Sequence, residues 1–190
     1  MHGLLLAAGA GRRMGSPKAL LRDADGTSWL VRSVSALREG GCHRVLVVLG
    51  AAADEAGPLL DGCDVDVVVA EDWDEGMGAS LRTGLSALPD DEAVVVSLVD
   101  LPDVGPAVIE RLLAREVTTA TLARAAYDGT PGHPVLIGSD HRAGVIAAAR
   151  GDRGARDYLA AHEVELVECG DLATGRDVDT APTHCQPVAE

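Results

Sequence analysis

Leu4-Leu5-Leu6-Ala7-Ala8-Gly9-Ala10-Gly11-Arg12-Arg13-Met14-Gly15-Ser16-Pro17-Lys18 carries a short aliphatic run straight into a loop of three glycines and three cations. A run this short and this apolar reads as a strand buried on both faces. The loop after it has the composition of a phosphate cradle: glycine lets backbone N–H groups approach an anion closely, and Arg and Lys supply the opposing charge. A strand that ends in such a turn belongs to α/β grammar, in which ligands bind beyond the carboxyl ends of parallel strands. Two familiar cradles fit poorly. A dinucleotide fingerprint wants glycine where Met14 stands and an acid after the second strand, where Leu49-Gly50 stands; a Walker loop wants lysine directly before Ser or Thr, whereas Lys18 precedes Ala19. A solvated glycine turn is the plainer alternative. It fits less well, because a chain with 16 Lys and Arg against 30 Asp and Glu otherwise avoids concentrating cations.

Outward from this loop, aliphatic runs of strand length alternate with amphipathic stretches. Strands are expected at Gly3 to Ala8, Arg44 to Leu49, Val65 to Ala70, Ala93 to Val99, Thr118 to Arg124, Pro134 to Ile137 and Glu163 to Val167. Helical spacing joins Trp29, Leu30, Val34 and Leu37, then Leu81, Leu85 and Leu88, then Val108, Ile109, Leu112 and Leu113 in a helix that Pro106 opens. The expected architecture is one three-layer α/β/α domain over residues 1–180, Rossmann-like, with a mostly parallel sheet and a flexible tail at 181–190.

Composition bounds the partners. Hydrophobic residues make up 47% of the chain but aromatics only 2%, so Val, Leu and Ala must fill the interior. The net charge of −14 argues against nucleic acid and anionic membranes as partners, and a phosphate ligand needs a local basic patch. No stretch reaches transmembrane length, and the cations follow the first apolar run instead of preceding it as in a secretory signal. The expectation is a cytoplasmic protein with reduced, structurally ordinary thiols at Cys42, Cys63, Cys169 and Cys185.

A second strand end carries Val99-Asp100-Leu101-Pro102-Asp103. Mg²⁺ is held by one or two carboxylates plus substrate phosphates, so Asp100, at the same sheet edge as the glycine loop, is the candidate ligand, while Asp103 is read as a helix cap. Between the two lies an acidic loop from Glu71, then Gly76-Met77-Gly78-Ala79-Ser80, whose small residues leave room for a flat ring and whose Ser80 is a candidate nucleobase or sugar contact. Gly132-His133-Pro134, Gly151 to Arg156 and Asp177-Val178-Asp179-Thr180 complete the set, each weak by itself.

Taken in order, these segments resemble the molybdenum cofactor nucleotidyltransferases, particularly the branch that transfers CMP to molybdopterin. The resemblance spans nearly the whole chain and implies a fold of the nucleotide-diphospho-sugar transferase type. It also implies Mg²⁺ as cofactor and transfer of CMP from CTP to a phosphorylated acceptor, with pyrophosphate released and a molybdoenzyme or its maturation chaperone as partner. Leu6, Ala7, Ala8, Gly9, Gly11, Arg12 and Gly15 match the signature loop that embraces the triphosphate. Lys18 and Arg13 would neutralise phosphate charge, Asp100 and Asp179 would hold the metal, Ser80 would lie near the nucleotide and His133 on the acceptor side. The chain departs from the family at Glu71, where Asn is frequent, and at Ala181-Pro182-Thr183, where Pro-Glu-Asp is usual. Two other classes share such a scaffold: an oxidoreductase that uses the loop for a dinucleotide, and a noncatalytic carrier or chaperone that holds a cofactor without transferring it.

Overall fold

The computed structural model describes residues 1–12 and 14–178. Seven strands form one sheet in the order β3-β2-β1-β4-β6-β5-β7. They are β1 (His2–Leu6), β2 (Arg44–Leu49), β3 (Asp66–Val69), β4 (Val94–Leu98), β5 (Leu122–Tyr127), β6 (Thr130–Ile137) and β7 (Glu165–Glu168). β1 pairs in parallel with both β2 and β4, β2 with β3 and β5 with β7; β6 alone runs opposed, between β4 and β5. The sheet is thus mixed but mostly parallel, as expected.

The largely aliphatic sequences of β1, β2 and β4 follow from burial on both faces. Successive residues point to opposite sides, so Leu5, Val47 and Val95 enter one core, while Leu4, Leu6, Val48 and Val96 enter the other. The first core is closed by α1 (Trp29–Glu39) and α4 (Pro106–Leu113), through Trp29, Leu30, Val34, Leu37, Val108, Ile109 and Leu112. Leu81 and Leu85 of α3 (Met77–Ala87) and Val145 of α5 (Ser139–Ala148) close the second. Three layers result. Ser28 caps α1 by accepting the Val31 amide, and Pro106 opens α4, where no intrahelical donor is required. Among the described residues, no helix is long and apolar enough to cross a membrane.

Two strands lie elsewhere than their apolar pattern indicates. β5 begins at Leu122, because Thr118 to Thr121 close a turn: the Thr118 amide donates to Thr121 Oγ1 at 2.8 Å. β6 starts four residues early, at Thr130, because Asp128 and Gly129 take φ of 51° and 75°, the positive pair that a tight hairpin requires.

α3 reaches the sheet through a glycine. A Cβ at Gly84 would stand 2.6 Å from Leu4 Cδ1 and 2.7 Å from Val48 Cγ2, both wholly buried. Gly84→Val therefore overpacks the core and should cost about 1–3 kcal/mol. At about 2–4 °C per kcal/mol for a domain of this size, thermal melting should fall by several degrees. An unchanged melting temperature would show that α3 tolerates a wider spacing.

Candidate active site

The carboxyl ends of β1 and β4 lie side by side, with Leu6 in register with Leu98. The glycine loop leaves one end and Asp100 the other. The loop is shaped by backbone geometry: the amides of Met14 and Gly15 both donate to Gly11 O, at 2.8 and 2.9 Å. Gly11 sits at φ 61°, where a Cβ would meet Ser16 O at 1.8 Å, so no side chain fits there. Gly15 completes the turn at φ 75°. A 3₁₀ turn at Lys18–Leu20 follows, and its buried Ala19, 1% exposed, anchors the chain so that Lys18 returns to the sheet edge.

There Lys18 Nζ donates to Asp100 Oδ2 at 2.7 Å, each side chain only 17% exposed. The second oxygen, Asp100 Oδ1, is buried with no hydrogen-bond partner among the described residues. Buried carboxylate oxygens are seldom left unsatisfied, so this one calls for a partner that the described residues do not supply. A hard oxygen beside a glycine-rich, cationic loop fits a divalent cation. The C-terminal segment is laid against the same point: the Val178 amide donates to Asp100 O at 3.1 Å, and Asp103 Oδ2 accepts from both the amide and hydroxyl of Thr174 at 2.6 Å. Asp103 is thus a clamp for that segment and not the helix cap expected from sequence; Gly105 occupies the cap position of α4.

A cleft of roughly 360 Å³ opens over this pair. Leu6, Ala7, Ala8, Gly9, Gly11, Arg12, Lys18 and Asp100 line it together with Trp73, Met77 and Ser80. Gly15 shapes the turn without lining the cleft. Arg13 and Asp179 lie outside the described residues. Glu71 is exposed and outside the lining, while Trp73 and Asp74, two and three residues on, belong to it. Arg82 is a brace: it donates to Asp72 at 3.2 Å, to Glu75 at 3.1 Å and to Ala149 O at 2.9 Å. Those bonds fix the loop before α3 against the end of α5. Gly78 lets α3 sit close to the same region, since a Cβ there would meet Arg150 N at 2.6 Å.

His133 belongs to a second cavity of roughly 350 Å³ that shares Leu6, Met77, Leu98 and Asp152 with the first and adds Arg124, Arg153, Arg156 and Asp177. Arg124, on β5, donates to Gly132 O at 3.0 Å, and Tyr127 OH donates to His133 O at 2.7 Å, so the hairpin holds its own bend. Burial, with the nearby Arg156 charge, pushes Arg124 below the usual guanidinium range. Burial and the Arg124 charge bring the His133 imidazole down to about 4. The cavity thus gathers Arg124, Arg153 and Arg156 with Asp152 and Asp177, and Arg153 is already paired with Asp157. Sequence reading missed Arg124; its one signal was a cation inside the Leu122-Ala123-Arg124-Ala125-Ala126 strand.

The His133 shift has a measurable consequence. Its folded value, about 4, lies below the unfolded 6.5, so between these the unfolded chain binds more protons and stability falls as pH falls. At about 1.36 kcal/mol per unit, up to about 3 kcal/mol is lost on going from pH 7 to pH 4. His133→Gln should remove that part of the acid loss, read from chemical denaturation at both pH values. Parallel curves for the two proteins would contradict it.

Comparison with known proteins is consistent with this geometry. The profile of the family described as MobA-like NTP transferase domain matches residues 3–166. Nicotine blue oxidoreductase of Paenarthrobacter nicotinovorans is 37% identical over 188 residues, covering 94% of this chain and 91% of its own. Among solved structures, Rv0371c of Mycobacterium tuberculosis superposes with TM-score 0.77 at 30% identity, over 94% of this chain and 92% of that one. Its complex with manganese gives TM-score 0.71 at 28% identity, over 88% and 87%. A nucleotidyl transferase from Methanothermobacter thermautotroptrophicus gives TM-score 0.73 at 25% identity, over 88% and 86%.

Proposed function

The chain belongs to the MobA-like NTP transferase family, with the fold of the nucleotide-diphospho-sugar transferases, and from that premise we propose that it moves CMP from CTP onto a phosphorylated acceptor of the molybdopterin type, releasing pyrophosphate. The observation that carries this reading is the Lys18–Asp100 pair at 2.7 Å beneath the glycine loop, with Asp100 Oδ1 buried and unsatisfied.

The loop amides and Arg12 seat the triphosphate, and Ser80 meets the nucleoside. An acceptor phosphate oxygen attacks the α-phosphorus in line, the bond from the α-phosphorus to its bridging oxygen breaks, and the electron pair leaves with pyrophosphate. Lys18 and Arg13 neutralise charge on that leaving group. No general base is required, because a phosphate monoester is already ionised near neutral pH. Asp100, with Asp179 as second ligand, would hold Mg²⁺, which when bound compensates triphosphate charge. Arg124 and Arg156 receive the anionic acceptor in the second cavity, with His133 neutral beside them.

Base choice is assigned to Ala8. Its buried methyl stands beside Trp73 at Gly50, where a further Cβ would come within 2.8 Å of Ala8 Cβ. Ala8 also lines the cleft, and a side chain at this turn is taken to favour a pyrimidine over a purine. One methyl discriminates by about 1–3 kcal/mol, so CTP should bind roughly ten- to a hundredfold more tightly than GTP. Competition among the four triphosphates at fixed Mg²⁺ tests it; tighter GTP binding would overturn the assignment to Ala8.

The name of the Paenarthrobacter relative favours a second reading, redox chemistry in the same cleft with a dinucleotide. A thermal-shift survey of CTP, GTP, UTP, ATP and dinucleotides with Mg²⁺ separates the two, since a ligand of the native state raises melting according to its affinity. Stabilisation by CTP with Mg²⁺ supports transfer. Stabilisation by dinucleotides alone, with bound-flavin absorbance or a change in nicotinamide fluorescence, supports the redox reading. A carrier that holds a cofactor without transferring it would release no pyrophosphate.

A further inference from the structure

The edge of the sheet opposite the cleft carries a cluster that nucleotide transfer does not use. At the amino ends of three neighbouring parallel strands, β1 sets His2 beside Arg44 of β2 and beside Val94 of β4. His43 immediately precedes Arg44, and Glu92 lies two residues before Val94, so strand register alone gathers His2, His43 and Glu92. His2 Nε2 stands 3.7 Å and His43 Nε2 3.5 Å from the same oxygen, Glu92 Oε2. One donor atom from each of the three residues lies within 4.8 Å of the others. These separations exceed hydrogen-bond contact, which closes at about 2.7–3.2 Å. They approach the ligand-to-ligand edge of a tetrahedral zinc site, about 3.3 Å for ligands held about 2.0–2.1 Å from the metal.

His2 is 3% exposed, yet its Nδ1 is buried without a hydrogen-bond partner among the described residues, and its Nε2 faces Glu92 from beyond hydrogen-bond reach. A buried imidazole in that state lacks the partner that burial demands. A metal ion at Nε2 would join that nitrogen to Glu92 and His43 and leave Nδ1 as the ring nitrogen that carries the proton. The other two side chains, His43 at 53% and Glu92 at 39% exposure, have room to close in. The Met1 amino group contacts the same Glu92 oxygen, Oε2, and lies 2.8 Å from His43 Nδ1, so a bound metal would displace the ammonium from that oxygen.

We infer that His2, His43 and Glu92 form a second cation site, selective for a borderline divalent metal and best matched to zinc, with its fourth position open to water. Imidazole nitrogens favour zinc over magnesium, which takes oxygen ligands, so this edge and the Asp100 cleft select different metals. The site ties together the starts of β1, β2 and β4.

The test uses the full chain free of any histidine tag, stripped with chelator and titrated with Zn²⁺ against a chromophoric competitor, with Co²⁺ absorbance reporting four-coordination. The expected result is one zinc per chain, bound at least tenfold more weakly in His43→Gln and in Glu92→Gln. Both positions are exposed enough for the fold to survive, which melting without metal verifies. Asp100→Asn, at the opposite edge, should leave zinc affinity unchanged. Absence of zinc binding at micromolar concentration, or equal affinity in His43→Gln, would overturn the site. Loss in Asp100→Asn with retention in His43→Gln would assign the zinc to the cleft and overturn it equally.

Discussion

Lys18→Ala should lower kcat/KM for nucleotidyl transfer by roughly a hundred- to a thousandfold while leaving the fold in place, the range seen when one preorganised donor to a developing anion is removed. The ammonium sits 2.7 Å from Asp100 at the mouth of the glycine turn, where charge on the departing pyrophosphate needs compensation. The turn itself does not depend on it, since the Gly11 carbonyl receives two amides and buried Ala19 carries the anchoring contact. Melting without ligand should therefore shift by a few degrees at most, while triphosphate binding weakens. Equal turnover in variant and parent would remove Lys18 from the reaction.

Asp100→Asn should be comparably severe, for a different reason. It keeps the shape of the side chain but exchanges one carboxylate oxygen for an amide nitrogen and removes the negative charge shared by the oxygen that meets Lys18 and the buried, unpartnered one. The rate at saturating CTP should fall roughly a hundredfold or more, and the Mg²⁺ concentration for half-maximal rate should rise, because a neutral amide is a poor ligand for a hard cation. Overlaid metal titrations for the two proteins would place the ligand elsewhere. Lys18 and Asp100 touch, so their effects should not add, and the double variant should lose less than the product of the two single losses.

Much of the central fold was legible in the sequence for a simple reason. Strands buried on both faces must be largely aliphatic, and Leu4 to Leu6 of β1, Val45 to Leu49 of β2 and Val94 to Val96 of β4 are, so the position of these strands and the ligand-binding edge they define can be read from the sequence. Burial of helix stripes revealed α1 and α4 in the same way. The second half was harder, because its determinants are polar. α5 fixes itself through Arg142, 3% exposed, whose guanidinium donates to the carbonyls of Leu85 at 2.6 Å and Leu88 at 2.9 Å, at the end of α3. A search for apolar periodicity passes over such a residue. The hairpin signal Asp128-Gly129 was present and went unused, which moved the start of β6.

The candidate site divides along the same line. Gly11 and Lys18 lie on the segment that follows β1 and Asp100 just after the neighbouring β4, so both belong to one sheet edge, and the structure brings Lys18 and Asp100 into contact. Arg124 reaches the second cavity only through the β5–β6 pairing, a long-range consequence that no local motif announces. Asp103 was misread because a strand-end carboxylate resembles a helix cap until Thr174 is seen to occupy it.

The central claim, that this cleft transfers a nucleotide, is tested most directly by measuring pyrophosphate released from CTP and Mg²⁺ in the presence and absence of molybdopterin. Release should require the acceptor, equal the nucleotide transferred and collapse in Lys18→Ala. Absence of pyrophosphate from a folded, CTP-binding protein would contradict it, and so would oxidation of a reduced nicotinamide in the same cleft without any release.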